Sequence, residues 1–231
     1  MLKSVKYTLA AIIFLSMLAF GQGRETKTFD FKDFSRVEAG WGMHVKIDKS
    51  DSYKIQVEAS KEDFNYIGVK KSGNRLRFFI TEHNYRKRGE IYINISMPEL
   101  TGIGLSGGAS GEFQSEIGNK TFEGELSGGS ELKGNLKCGD VELSLSGGSV
   151  INVSGKGKDA KIEGSGGSIF NLKDFSAGDV DSELSGGSSV RITMNGELNT
   201  SQSGGSRLTY YGTAKMGATN FSGGSGISRG D

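Results

Sequence analysis

Val141-Glu142-Leu143-Ser144-Leu145-Ser146-Gly147-Gly148-Ser149-Val150-Ile151-Asn152-Val153 reads as two short strands meeting at a glycine corner. Apolar and polar residues alternate up to Leu145, and the alternation resumes at Ile151 and Val153, which is the period of half-buried strands. The central Ser-Gly-Gly recurs at Ser106, Ser127, Ser146, Ser165, Ser185, Ser203 and Ser222, in steps of 21, 19, 19, 20, 18 and 19 residues. Its flanks recur too. Phe122 and Leu126 precede one copy, while Phe170 with Leu172, Val190 with Ile192, and Leu208 with Tyr210 follow others. A period this even marks a stacked array.

One such unit cannot stand alone. Three to five buried side chains, at roughly 1.5–3 kcal/mol each, do not offset ordering about 19 residues at roughly 1–2 kcal/mol each. Stacking solves this, because each strand finds its backbone partners one coil away and the apolar positions align into an interior column. The glycines suit a corner that needs positive φ and that a side chain would crowd against the neighbouring copy. The predicted fold is therefore all-β: a single-stranded parallel β-helix of about 19-residue coils, rising about 4.8 Å per coil. Leu105, Leu126, Leu145 and Leu184 should stack inside, with Gly164, Gln202 and Phe221 at the same level. Gln202, a buried polar exception, should have its amide paired.

Of 231 residues, 37 are glycine and one is proline, Pro98; 28 basic against 27 acidic residues leave a formal charge of +1. That balance gives no case for nucleic acid or an anionic membrane surface. The lone Cys138 excludes an intramolecular disulfide and reads as a small spacer before a core strand. A catalytic thiol would want a histidine, and the chain has only His44 and His83. Residues 1–21 read as a secretory signal: Lys3 and Lys6, an apolar run from Tyr7 to Phe20, then Ala19-Phe20-Gly21 for the peptidase. The run is too short for a membrane span, and no cysteine follows it for lipoprotein processing. The mature chain would start at Gln22 and be exported to the periplasm, the outer-membrane surface or beyond. Asn94, Asn119, Asn152, Asn199 and Asn220 fit Asn-x-Ser/Thr, as chance allows in so polar a β-protein.

Residues 22–97 are expected to form a less regular, more aromatic β cap on the helix proper, residues 98–231, within one continuous domain. Strands are expected at Met43–Ile47, Tyr53–Val57, Tyr66–Val69, Leu76–Ile80 and Ile91–Ile95, with Asp51-Ser52 and Ser72-Gly73-Asn74 as turns. Trp41, between two glycines, is assigned to the cap core rather than to a ligand-stacking platform. His44 points outward with no ligand-spaced partner. The basic run His83–Gly89 reads as a solvated hairpin tip, with a contact for anionic polysaccharide as its functional alternative.

Several motif matches fail on context. Gly102–Gly107 fits G-x-G-x-x-G, but a strand follows where pyrophosphate binding needs a helix. Gly104-Leu105-Ser106-Gly107-Gly108 fits a nucleophile elbow, yet Ser106 is one of seven equivalent corners. Calcium-binding β-rolls use a nine-residue period with an aspartate in each turn, unlike this chain. The terminal Arg229-Gly230-Asp231 is a tripeptide that chance supplies. Taken together, the exported start, the Val37–Ile47 and Tyr53–Val57 strands, the Pro98-Glu99-Leu100 lead-in and the Leu-Ser-Gly-Gly coils resemble the family described as "putative auto-transporter adhesin, head GIN domain", over about residues 28–225. The resemblance implies a β-helix at or outside the envelope of bacteria of the Bacteroidetes type, and carries over no catalytic residue. No barrel or long translocator follows residue 225, so self-transport is not expected.

Two function classes follow. A non-catalytic binding or adhesion module needs only long regular faces, and would meet a glycan or a cell-surface protein. A polysaccharide lyase or hydrolase needs clustered carboxylates or a calcium site on long loops, whereas the longest loop expected here is Lys173–Gly178. An ice-binding face would want a threonine ladder, to which only Thr200 and Thr219 contribute. No catalytic residue and no cofactor is assigned. The outward positions Glu123, Glu125, Glu142, Glu163, Asp181 and Glu183 gather on one face, relieved by Lys161, while Lys133, Arg191 and Arg207, with Asn152 and Asn171, lie on the other. Solvation against aggregation explains the acidic face. Calcium or a basic partner held by Glu125, Glu163 and Glu183 is the functional alternative.

Overall fold

A computed structural model describes residues 23–82, 84–86 and 89–231. The expected signal, residues 1–21, and His83, Lys87 and Arg88 of the basic run lie outside them. Among the described residues are 21 strands and a single 3-10 turn, Asp63–Asn65. Each Ser-Gly-Gly copy joins a leading strand to a trailing one. Leading strands run from Gly102–Leu105 to Lys215–Phe221, and trailing strands from Ser110–Glu116 to Gly226–Arg229. Within the repeats every strand pairs in parallel with its counterpart one coil away. The result is a parallel β-solenoid of two sheets, ten and eleven strands long.

The register places Leu105, Leu126, Leu145, Gly164, Leu184, Gln202 and Phe221 in one column. Gly111, Leu132, Ile151, Phe170, Val190, Leu208 and Ile227 form its counterpart in the trailing sheet. Small and large residues complement each other across the interior: a Cβ on Gly164 would sit 2.9 Å from the Phe170 ring. Phe221, on the edge strand of its sheet, is exposed. Gln202 is only 3 % exposed, and its amide nitrogen donates to Thr200 Oγ1 at 3.2 Å. Its carbonyl oxygen has no partner among the described residues, so the expected pairing is half made.

The corner works through three residues rather than two. The first glycine of all seven copies has φ between +57° and +71°. In the later six a Cβ would lie 2.6–3.2 Å from the backbone of the preceding corner. The residue after the glycines then turns inward. Ser130, Ser149, Ser168, Ser188 and Ser206 are buried, and each donates its hydroxyl at 2.7–3.0 Å to the carbonyl of the serine three residues before it. That bond closes the corner from inside and satisfies a hydroxyl that burial would otherwise penalise.

Two corner forms occur along the stack. The Gly108 and Gly129 N–H groups donate to the following coil, at Gly128 and Gly147, whereas those of Gly187, Gly205 and Gly224 donate to the preceding one. The peptide between the glycines is flipped between the two forms. Accordingly the second glycine is left-handed, φ +75° to +78°, only at Gly108, Gly129 and Gly148.

The described residues of 23–97 divide into two parts. Arg36–Ala39 and His44–Lys49 form a regular coil directly beneath Gly102–Leu105 and Ser110–Glu116. On its other side lie Arg75–Ile80 and Tyr92–Met97, also parallel. The chain thus lays down one coil, builds the coil below it, and returns past both through Pro98–Thr101. Among the described residues antiparallel pairing is confined to this end, where Arg24–Phe29, Lys54–Ser60 and Ile67–Ser72 extend the two sheets. Ile55, Val57 and Ala59 of Lys54–Ser60 are buried with Phe34, Phe78, Ile91 and Ile93, while Phe29, Ile67 and Val69 of the other two strands pack against them partly buried.

Two expectations are corrected. Trp41 is not cap core. Gly40-Trp41-Gly42 is a further corner, Trp41 takes the place of the first glycine with φ +57°, and its side chain is 48 % exposed. Lys173–Gly178 is not a free loop: the strand Ile169–Ala177 runs through it, bulged between Leu172 and Ser176, with Phe175 fully buried. Inserting residues into one strand without breaking the ladder is what a bulge does.

Candidate functional site

Outward residues of the leading sheet fall into two columns two residues apart along each strand, with successive members one coil apart. Nearer the return loops run Arg36, Gly102, Glu123, Glu142, Lys161, Asp181 and Asn199. Nearer the corners run Glu38, Gly104, Glu125, Ser144, Glu163, Glu183, Ser201 and Asn220. Beside the second column stand the corner serines, all partly or fully exposed. These two rows border a shallow groove along the solenoid. Its head, of about 490 Å³, is lined by Trp41, Glu38, Arg77, Phe79, Ser106 and Glu125, among others. It reaches Ser144 and Ser146, which also line the next stretch, of about 450 Å³, that continues to Ser203.

The acidic face is more compensated than its sequence suggests. Arg36, only 7 % exposed, lies across Gly102, where a Cβ would come within 3.2 Å of its Cγ. It reaches Glu123 and, at 2.6 Å, Glu125. Burial opposes the Arg36 charge, but the two glutamates outweigh it and hold its proton more tightly than usual. Glu163 is held by Lys161 Nζ at 2.7 Å and by the Ser144 hydroxyl at 3.2 Å, and the lysine keeps its carboxyl below the ordinary range. Glu125, Glu163 and Glu183 do share the column, with Ser144 between the first two. Among the described residues no three His, Cys, Asp or Glu side chains converge as metal ligands.

The trailing sheet carries Lys133, Asn152, Asn171 and Arg191 in one column, with Asn171 donating to Asn152 at 2.7 Å, and Arg207 one column aside. It also holds a cluster that residue spacing could not disclose. His44 Nδ1 lies 2.8 Å from Ser110 Oγ, its Nε2 lies 2.5 Å from Glu90 Oε2, and its ring stacks on Tyr92. A hydrolytic serine also needs donors aimed at a developing oxyanion. The Ser110 N–H is instead bonded to the Met43 carbonyl within the ladder. The contacts orient an exposed imidazole on a flat sheet.

Cys138 is half-buried, a free thiol whose pKa is pushed up to about 12, first by burial and then by Asp140. No described helix is long and apolar enough to cross a membrane. Of the groove, sequence reasoning found the acidic positions and the corner serines but missed its aromatic head. The available signal was the Gly-Trp-Gly step between two alternating strands, a corner with one glycine replaced.

No curated protein matches the sequence. Among solved structures, a putative adhesin from Bacteroides fragilis NCTC 9343 superposes with a TM-score of 0.79 at 18% identity, over 90% of this chain and 98% of that one. A putative lipid binding protein from Parabacteroides distasonis ATCC 8503 gives 0.69 at 15%, over 90% and 97%. A putative adhesin from Parabacteroides merdae ATCC 43184 gives 0.66 at 15%, over 90% and 96%. At such identities the likeness is one of fold. Residues 33–214 match the family described as "Putative auto-transporter adhesin, head GIN domain", and the chain belongs to that family.

Proposed function

We propose that the protein is an exported, non-catalytic binding module of the cell envelope that adheres through the grooved edge of its leading sheet. One observation carries the reading: the groove presents a hydroxyl or carboxylate from the sheet and a hydroxyl from the corner at nearly every coil. A rigid array of this kind suits an extended partner that is met many times over, since weak contacts repeated along a pre-organised surface add without further ordering. Family membership and the adhesin-named structures support it by their descriptions. Catalysis would instead require a cluster of reactive groups with perturbed proton affinities in a cleft, and Glu38, Glu125 and Glu163 of this groove are tied into ion pairs with arginine or lysine. The test is retention of cells, and of a glycan array, by beads carrying the mature chain from Gln22, beside a reducing-end assay on the same polysaccharides. Saturable retention without product is expected. No retention, or turnover, refutes the reading.

A further inference from the structure

We propose that the head of the groove, which Trp41 lines together with Glu38, Arg77, Ser106 and Glu125, is a subsite for one sugar unit of an extended neutral polysaccharide whose chain continues along the corner serines. This rests on the binding-module reading and names its ligand class.

Trp41 carries the argument. At the same position all seven other corners have glycine, because the backbone is left-handed there. The indole is nevertheless placed at that position and left 48 % exposed. Of the other exposed large apolar side chains, Phe221 and Met216 belong to the edge strand Lys215–Phe221, and Tyr92 and Ile169, each 39 % exposed, occupy outward places in regular strands. Trp41 lies between two coils and has no such excuse. Packing does not account for its ring.

A flat, half-desolvated indole beside a polar trough suits a ligand that is apolar on one face and hydroxylated at its edges. A pyranose ring has that character: axial C–H groups lie on the indole, and equatorial hydroxyls reach outward. Around Trp41 the groups that would meet those hydroxyls are acceptors and donors together. Glu38 and Glu125 accept, Arg77 donates, and the Ser106 and Ser127 hydroxyls do either. Farther along, Ser144, Ser146, Glu163, Ser165 and Glu183 repeat the combination. The coil rise of about 4.8 Å is close to the advance per unit of an extended β-linked pyranose chain, so successive units would meet successive coils.

Charge decides which polysaccharide. Glu38, Glu125, Glu163 and Glu183 line the groove against Arg77 as its basic group. Of these, Arg77 is 4.0 Å from Glu38, which Arg75 also holds at 2.9 Å. Arg36 holds Glu125 and Lys161 holds Glu163 in the same way, so the cations beside the groove are already paired and offer a polyanion little, whereas a neutral chain offers hydroxyls to the carboxylates.

Trp41 is the chain's single tryptophan, so native fluorescence reports on this site alone. The mature chain is titrated, in EDTA, with cellohexaose, mannohexaose, xylohexaose and hexagalacturonate. At least one neutral hexamer should shift the emission saturably, and hexagalacturonate should not. By calorimetry, Trp41→Gly, which gives the corner the residue its seven counterparts use and so keeps the fold, should weaken binding about tenfold or more, and Trp41→Tyr should restore part of it. The proposal is overturned if no neutral hexamer shifts the emission, if only the acidic one does, or if Trp41→Gly binds as tightly as the parent. Retention of cells by Trp41→Gly beads would then leave the adhesion reading standing; loss of retention by the parent beads themselves removes both.

Discussion

Three alanine substitutions at the corners separate the two jobs their glycines do. Gly167 lies outside the left-handed region, and a Cβ there meets nothing within 4 Å. Gly167→Ala stiffens only the unfolded chain and should be neutral or stabilising by about 0.4–1 kcal/mol. Gly148 occupies the equivalent place one coil earlier, also in open space, but with φ +78°. Alanine there takes on the left-handed cost of about 1–2 kcal/mol, less the same unfolded-state gain, for a net loss of about 1 kcal/mol. Gly147 combines φ +63° with a Cβ position 3.1 Å from the Gly128 nitrogen. Because the obstacle is backbone locked in the preceding coil, overpacking adds about 1–3 kcal/mol, bringing Gly147→Ala to about 2–4 kcal/mol. Thermal unfolding of the mature chain measures all three, since about 1 kcal/mol moves the Tm by about 2–4 °C at this size. The expected order is Gly167→Ala at or above the parent, then Gly148→Ala, then Gly147→Ala lowest. Equal Tm values for Gly147→Ala and Gly167→Ala, or Gly148→Ala above the parent, would refute the assignment of strain and stacking.

Four further outcomes follow from the same geometry. Leu145→Asp places a carboxylate in the interior column and should cost several kcal/mol, while Glu142→Ala, on the exposed side of the same strand, should shift stability by less than about 0.5 kcal/mol; equal melting temperatures would invert the two faces. Ser168→Ala removes the hydroxyl that closes its corner at 2.9 Å and should cost about 1 kcal/mol, whereas the exposed Ser165→Ala should be silent by urea denaturation; the reverse order would contradict the inward serine ladder. With its pKa pushed up to about 12, the Cys138 thiol should resist iodoacetamide at mildly alkaline pH until urea is added. By the same shift the folded chain keeps a proton that the unfolded one releases above its ordinary 9.0, so Cys138 lowers stability progressively as pH rises from there towards about 12, and a Cys138→Ala variant should lose less over that range. Millimolar calcium should leave the Tm unchanged; a rise that disappears when Glu125, Glu163 and Glu183 are all changed to Gln would establish a cation site on the acidic column.

Alternation and period alone were enough to specify the repeating part of this protein. Stacking demands that every coil place the same kind of residue at the same level, so Leu126, Leu145 and Leu184, and Ile151, Phe170 and Val190, announce their columns in any single reading of the chain. The acidic positions were legible for the same reason, because an outward residue in a strand is identified by its inward neighbours. What the period does not encode was decided by contacts between distant segments. The coil 36–49 sits between 75–97 and 102–116, an order out of step with the chain that only the strand pairing discloses. Arg36 neutralises Glu123 and Glu125 across the gap that Gly102 leaves, and Glu90 meets His44 from 46 residues away. The inward turn of Ser130, Ser149, Ser168, Ser188 and Ser206 breaks the alternation at the corner, where the backbone, not the strand period, directs the side chain. Trp41 shows the limit most plainly. A tryptophan between glycines is apolar and so reads, from sequence, as cap core. Only the stacked corner beneath Gly107, with its left-handed backbone, turns that side chain out into water at the head of the groove.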